Sequence, residues 1–193
     1  MPHIHSVAVF CGAKAGTDPT YQREARFLGR ALAESSIRLI YGGGRIGLMG
    51  AVADAAMAAG GTVVGIIPEF LTRREVAHSD VSQLIVTDSM HSRKRQMFDL
   101  ADSFVTLPGG LGTLDETFEI LTWRQLGLHD KPIFICDIAG SAEPLLAMIE
   151  ATIAAGFAHP EIRGLFELVE GTVALIERLR HLPVVPAGSS ARL

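Results

Sequence analysis

The chain has little that would tie it to a metal, a membrane or a nucleic acid. Only two of its 193 residues are cysteines. Cys11 and Cys136 lie far apart, inside the apolar runs SVAVFC and KPIFIC, so neither the paired spacing of a zinc site nor a redox motif is present. They read as buried strand thiols, and the expected compartment is a reducing cytoplasm. His3 and His5 have no further ligand beside them in sequence, and His129, in GLHDKP, reads as a turn residue, so no metal site is expected. No Ser-His-Asp or Cys-His arrangement emerges. No apolar run approaches the length that spans a bilayer, and the N-terminus MPHIHSVAVFCG has no cationic leader. A net charge of -4 leaves no broad basic surface, so neither a nucleic-acid nor a membrane partner is expected.

What is present is apolar sequence in a regular rhythm. Hydrophobic residues make up 48% and charged residues 20% of the chain, a balance that fits one well-buried domain. Short β-branched runs at 6–10, 38–41, 62–67, 83–86, 103–107 and 132–136 read as buried strands of a parallel sheet. Helical patterns separate and follow them at 20–34, 48–59, 90–101, 113–126, 143–155 and 172–182. In the first of these, Tyr21, Ala25, Leu28 and Leu32 form one stripe. Such alternation predicts an α/β fold, a doubly wound parallel sheet with helices on both faces. A single domain is expected over 1–182, followed by a small, polar, flexible tail over 183–193.

In this architecture ligands bind at the carboxyl ends of the strands. CGAKAG, YGGGRIGLMG, IPEFLTRRE and LPGGLGT mark those ends. Gly42, Gly44 and Gly47 fit G-x-G-x-x-G, and Glu69 falls where a ribose-binding acid would be sought, so a dinucleotide enzyme is a rival reading. Against it, the glycines follow the second strand rather than the first. They serve either ligand contact or tight turning; Gly12, Gly43 and Gly44 are the candidates for a phosphate or ribose loop. LPGGLGT carries more. Pro108 ends a strand, Gly109 and Gly110 free the backbone to approach a ligand, and Gly112 with Thr113 opens the next helix. Its amides, at the positive end of the helix dipole, offer a phosphate seat without the G-K-[ST] lysine. The Thr113 hydroxyl either adds to that seat or caps the helix.

Two charged residues stand on apolar stripes. In MHSRKRQMF, Arg93 shares the row of Met97 and Leu100, while Lys94 and Arg95 face elsewhere. From pattern alone, snorkelling or simple pairing with a nearby acid accounts for Arg93 slightly better than a functional role. After PGGLGT, Glu116 heads the row of Ile120 and Trp123 and shares a face with Glu119, with Asp115 turned away. Thr122 and Trp123 read as packing residues.

Together, VFCGAKAG, YGGGRIGLMG, MHSRK, LPGGLGTLDE and ILTWRQLGLHDKP resemble the Lonely Guy family of cytokinin-activating phosphoribohydrolases, which also carries the label possible lysine decarboxylase. The resemblance runs in order from about residue 6 to 136. It implies a Rossmann-like fold and hydrolysis of the N-glycosidic bond of N6-substituted adenosine 5'-monophosphates, or of AMP, to free base and ribose 5-phosphate. It implies that Arg93 and Glu116 form the catalytic pair. The implied nucleotide contacts are Glu75, Lys94, Gly109, Gly110, Leu111, Gly112, Thr113, Leu114, Asp115 and Thr122. A homodimer and no cofactor are implied as well. Ala13 departs from the family's frequent serine after Cys-Gly, and Asp115 from a frequent glutamate.

The implied chemistry is coherent. Loss of the base leaves an oxocarbenium-like sugar, which a carboxylate can stabilise or whose attacking water it can activate. Arginine stays protonated, so Arg93 suits positioning of substrate and of Glu116. The alternatives are an NAD-dependent oxidoreductase and a non-catalytic nucleotide carrier. Lysine decarboxylation ranks last, because none of Lys14, Lys94 and Lys131 lies in a pyridoxal motif.

Overall fold

Strand and helix alternate as the apolar rhythm requires in the computed structural model, which describes residues 4–73 and 76–182. Among the described residues one sheet forms, from β1 (Ser6–Phe10), β2 (Arg38–Tyr41), β3 (Val63–Pro68), β4 (Gln83–Thr87), β5 (Ser103–Thr106), β6 (Ile133–Asp137) and β7 (Glu167–Glu170). The strand order is β4-β3-β2-β1-β5-β6-β7, and every pairing is parallel. The helices are α1 (Pro19–Glu34), α2 (Gly47–Ala58), α3 (Met90–Leu100), α4 (Leu111–Gln125), α5 (Glu143–Ala154) and α6 (Gly171–His181). Glu75 and the expected flexible tail lie outside the described residues.

Strand periodicity divides the core between two faces. Val7, Val9, Leu39, Tyr41, Val63, Val105 and Phe134 point one way and are covered by α1, α2 and α6. Ala8, Phe10, Ile40, Val64, Ile66 and Phe104 point the other way, against Met97 and Phe98 of α3 and Ile120 and Leu121 of α4. Full burial of each large side chain is worth roughly 1.5–3 kcal/mol, and the central strands are buried on both faces, so this double cover drives the fold.

Two differences from the sequence reading have physical causes. ELVE at β7 is an edge strand in which two glutamates flank a pair of apolar residues, of which only Val169 is buried, and it falls outside the apolar runs that marked the other six strands. Helix α4 begins at Leu111 with Gly110 as its cap, two residues before the predicted start, so Thr113 lies inside the helix and does not cap it.

His129 does occupy a turn, but a buried one. The Lys131 amide donates to its Nδ1 at 3.1 Å, which leaves the ring proton on Nε2, 3.0 Å from the Ile120 carbonyl of α4. Lys131 donates from Nζ to the Phe98 carbonyl near the end of α3 at 2.7 Å, over the Phe98 ring. These two side chains fasten α3 and α4, the helices that carry Arg93 and Glu116, to the approach to β6. Burial lowers the pKa of both groups. A histidine whose folded value is depressed contributes stability that is complete above its unfolded value of about 6.5 and is lost as pH falls through the folded value. The unfolding midpoint, followed by circular dichroism, should therefore fall between pH 7.5 and pH 5, and by less in His129→Gln. An equal fall in both proteins would contradict this.

Candidate active site

The strand order places a crevice where the chain leaves neighbouring strands in opposite directions, and here that is between β1 and β5. A cleft of about 810 Å³ opens at their carboxyl ends, within the range of small-molecule sites. The β1–α1 loop, from Gly12 to Gly16, forms one wall, and Pro108 to Gly110 with the first turn of α4 forms the other. The Gly12 amide donates to the Pro108 carbonyl at 3.0 Å and sews the two loops together.

Most helix starts near the cleft are already satisfied. The amides of Leu48 and Met49 donate to the Gly12 carbonyl, Asp18 caps α1, Ser89 caps α3, and Asp137 accepts from the Ala142 amide before α5. Helix α4 is the exception. Its cap is Gly110, no side chain bonds to its amides, and its first turn contains no acid. Space is open beside Gly110 and Gly112, whereas a Cβ at Gly109 would fall 2.1 Å from the Thr113 hydroxyl oxygen. Gly109 is thus required by the tight turn into α4, and the glycines after it leave the amides accessible to an anion.

Arg93 and Glu116 form the floor. They are only 5% and 7% exposed, and Arg93 Nη2 stands 3.7 Å from Glu116 Oε1. The guanidinium is held from behind: Nε donates to the Ile66 carbonyl at 3.1 Å and Nη2 to the Gly42 carbonyl at 3.2 Å. A Cβ at Gly42 would sit 2.1 Å from Nη2, so that glycine makes room for the arginine. Cys11, also in the cleft wall, is a neutral thiol whose pKa burial raises strongly, with the Glu116 charge adding to the effect.

The other predicted positions separate. Pro108, Gly109, Gly110, Gly112, Thr113 and Gly12 line the cleft. Leu111 is exposed beside it, and Leu114 packs toward α5. Lys94 turns away from the cleft and bridges Asp115 at 3.1 Å and Glu119 at 3.0 Å, so Asp115 is not turned away from Glu119 as expected: residues one turn apart meet on one lysine, while Glu116 enters the cleft. Thr122 is exposed and bonds to the Phe118 carbonyl of its own helix. Trp123 packs edge-on against Phe98, as a packing residue should.

The fingerprint glycines have internal duties. The Gly43 carbonyl accepts from the His78 amide, Gly44 bridges to Ala77, and a Cβ at Gly47 would fall 2.3 Å from the Ala13 carbonyl carbon. Gly42 lines the cleft; Gly43, Gly44 and Glu69 do not. Lys14, Tyr21, Met49 and Ser141 also line it, and the sequence reading named none of them as site residues. The CGAKAG loop signalled where Lys14 and Tyr21 lie, but no motif marked Ser141. Among the described residues no group of three or more His, Cys, Asp or Glu side chains could hold a metal, and no helix is long and apolar enough to cross a membrane.

A family described as possible lysine decarboxylase matches residues 49–179. A cytokinin riboside 5'-monophosphate phosphoribohydrolase of Rhodococcoides fascians is 46% identical over 179 residues, covering 91% of this chain and 90% of that one. A probable enzyme of the same name from Oryza sativa subsp. japonica is 41% identical over 91% of this chain and 72% of its own length. Among solved structures, the molybdenum cofactor carrier protein from Chlamydomonas reinhardtii superposes with a TM-score of 0.66 at 22% identity, over 90% of this chain and 94% of that one, a likeness of fold.

If Gly42 exists to seat Arg93, Gly42→Ala should lower stability by about 1–3 kcal/mol, the usual cost of overpacking. Gly164→Ala, where a Cβ meets open space, should stay within about 0.5 kcal/mol of wild type. Denaturant titration measures both, and equal stabilities would contradict the assignment.

Proposed function

This chain belongs to the family described as possible lysine decarboxylase, the Lonely Guy family, and on that premise we propose that it acts on cytokinin nucleotides and on AMP. It is a phosphoribohydrolase, which hydrolyses the N-glycosidic bond of a cytokinin riboside 5'-monophosphate to free base and ribose 5-phosphate. One observation carries the reading at the level of residues: the uncapped start of α4 and the carboxylate of Glu116, about one turn further on, face the same cleft.

The two features suit opposite ends of one substrate. The amides at the α4 start receive the 5'-phosphate dianion, whose charge the helix dipole favours. From Leu111 to Glu116 the helix rises about 7.5 Å, at about 1.5 Å per residue, a span comparable to ribose phosphate. Glu116 then faces the anomeric carbon, where its charge stabilises the oxocarbenium-like sugar or takes a proton from the attacking water. Arg93, fixed on two carbonyls, orients Glu116 and balances its charge. Hydrolysis of this kind needs no redox or metal cofactor.

The rival readings have less support. The G-x-G-x-x-G glycines are occupied by contacts within the protein, which weakens the dinucleotide alternative. A pure carrier would not need an acid enclosed beside an arginine. We further propose a homodimer, for which Phe70, Val86 and Leu126 leave exposed apolar surface to bury. The unpaired buried thiols fit a reducing cytoplasm, and the acidic net charge fits a protein without a nucleic-acid partner.

The test is to incubate the protein with AMP and with isopentenyladenosine 5'-monophosphate and to separate the products by chromatography. Free base and ribose 5-phosphate should appear in equal amounts. Glu116→Gln should slow release by about 10²–10⁴-fold while the fold persists. Arg93→Lys, which cannot reproduce the fork held on two carbonyls, should also lose most activity. No base release from wild type overturns the hydrolase, and full activity in Glu116→Gln removes that residue from the mechanism.

A further inference from the structure

The cleft wall contains a cation to which neither the sequence reading nor the proposed mechanism gives a role. Among the described residues that line the cleft, Lys14 and Arg93 are the basic ones. Arg93 has Nε and Nη2 committed to the Ile66 and Gly42 carbonyls and stands against Glu116. Lys94, the other cation expected at the nucleotide, lies between Asp115 and Glu119 and does not line the cleft. Lys14 is exposed, and its ammonium has no hydrogen-bond or ion-pair partner among the described residues.

Its root is close to the seat formed at the start of α4. A Cβ at Gly12 would lie 2.8 Å from the Lys14 carbonyl oxygen and 3.3 Å from the Gly109 Cα, so the Lys14 backbone and the PGG turn press on the same glycine. Lys14 lines the cleft and is exposed, and a flexible four-carbon stem with three rotatable donors has the reach to meet a phosphate there. The neighbouring position is Ala13, which brings no hydroxyl to this loop. We infer that Lys14 is the cationic ligand of the substrate's 5'-phosphate, completing the amide seat of α4 and selecting phosphorylated over unphosphorylated ligands. The inference rests on the nucleotide reading above, but its binding test stands apart from turnover.

An ammonium at a solvent-facing site supplies a contact that salt screens, and it acts on phosphate rather than on the sugar or base. Ribose 5-phosphate titrated calorimetrically into the intact protein should bind Lys14→Met about tenfold more weakly than wild type, and Lys14→Arg should recover most of that loss. Added salt should weaken binding to wild type and change binding to Lys14→Met less. In turnover, the defect should appear in KM for the nucleotide. Equal affinity of ribose 5-phosphate for wild type and Lys14→Met overturns the inference, as does a failure to bind wild type. If affinity falls in Lys14→Met but wild type releases no base from any nucleotide, the phosphate ligand stands and the hydrolase reading falls.

Discussion

The site depends on a buried guanidinium held by two strand ends. Removing an arginine from water is costly unless its donors are satisfied and its charge is balanced. Arg93 meets both conditions through the carbonyls at Ile66 and Gly42 and the nearby carboxylate of Glu116. Because β2 and β3 are adjacent parallel strands, their carboxyl ends present these two carbonyls at a fixed separation. The planar fork of arginine suits such a pair, whereas the point charge of a lysine does not. The glycine at 42, the inward turn of Glu116 and the cleft floor all follow from this one seat.

Around that floor the protein divides its helix starts into those that are closed and one that is open. Asp18, Ser89, Asp137 and the Gly12 carbonyl satisfy amides that would otherwise compete for an anion. The start of α4 alone among the helices around the cleft is left to glycine. An acid in its first turn would oppose a phosphate, and the first acid, Asp115, is drawn off by Lys94 on the outer side. The bridge from Lys94 to Asp115 and Glu119 holds those two acids on the outer side of α4, while Glu116 faces the cleft. Glycines and carboxylates stand close in PGGLGTLDE because the helix turns them to different places.

Much of this was legible in the sequence. Six of the seven strands and all six α-helices follow from apolar period, since a strand buried on both faces reads as a continuous run and a covering helix as a stripe. The apolar row of Glu116 pointed it toward enclosed space, as found, whereas the row of Arg93 fitted snorkelling too, and only the carbonyls of Ile66 and Gly42 show why it is buried. Strand β7 was missed because edge strands carry charge. The purpose of the YGGGRIG glycines could not be decided from spacing: a glycine that admits a ligand and one that admits an arginine look alike until the arginine, 51 residues further on, is seen to fill the space. Lys94 shows the same limit, since its acidic partners come from a different helix. Lys14 was visible only as part of a loop, and its significance depended on finding the other cations occupied.

The central claim is that one ligand is gripped at both ends, with phosphate at the α4 amides and the anomeric carbon at Glu116. A crystal structure of the Glu116→Gln protein with AMP bound tests it most directly. The account predicts phosphate oxygens within hydrogen-bonding distance of the backbone amides between Gly110 and Thr113, and the ribose C1' turned toward residue 116. Phosphate bound instead in the turn from Gly42 to Gly47, or a sugar turned away from residue 116, would contradict it.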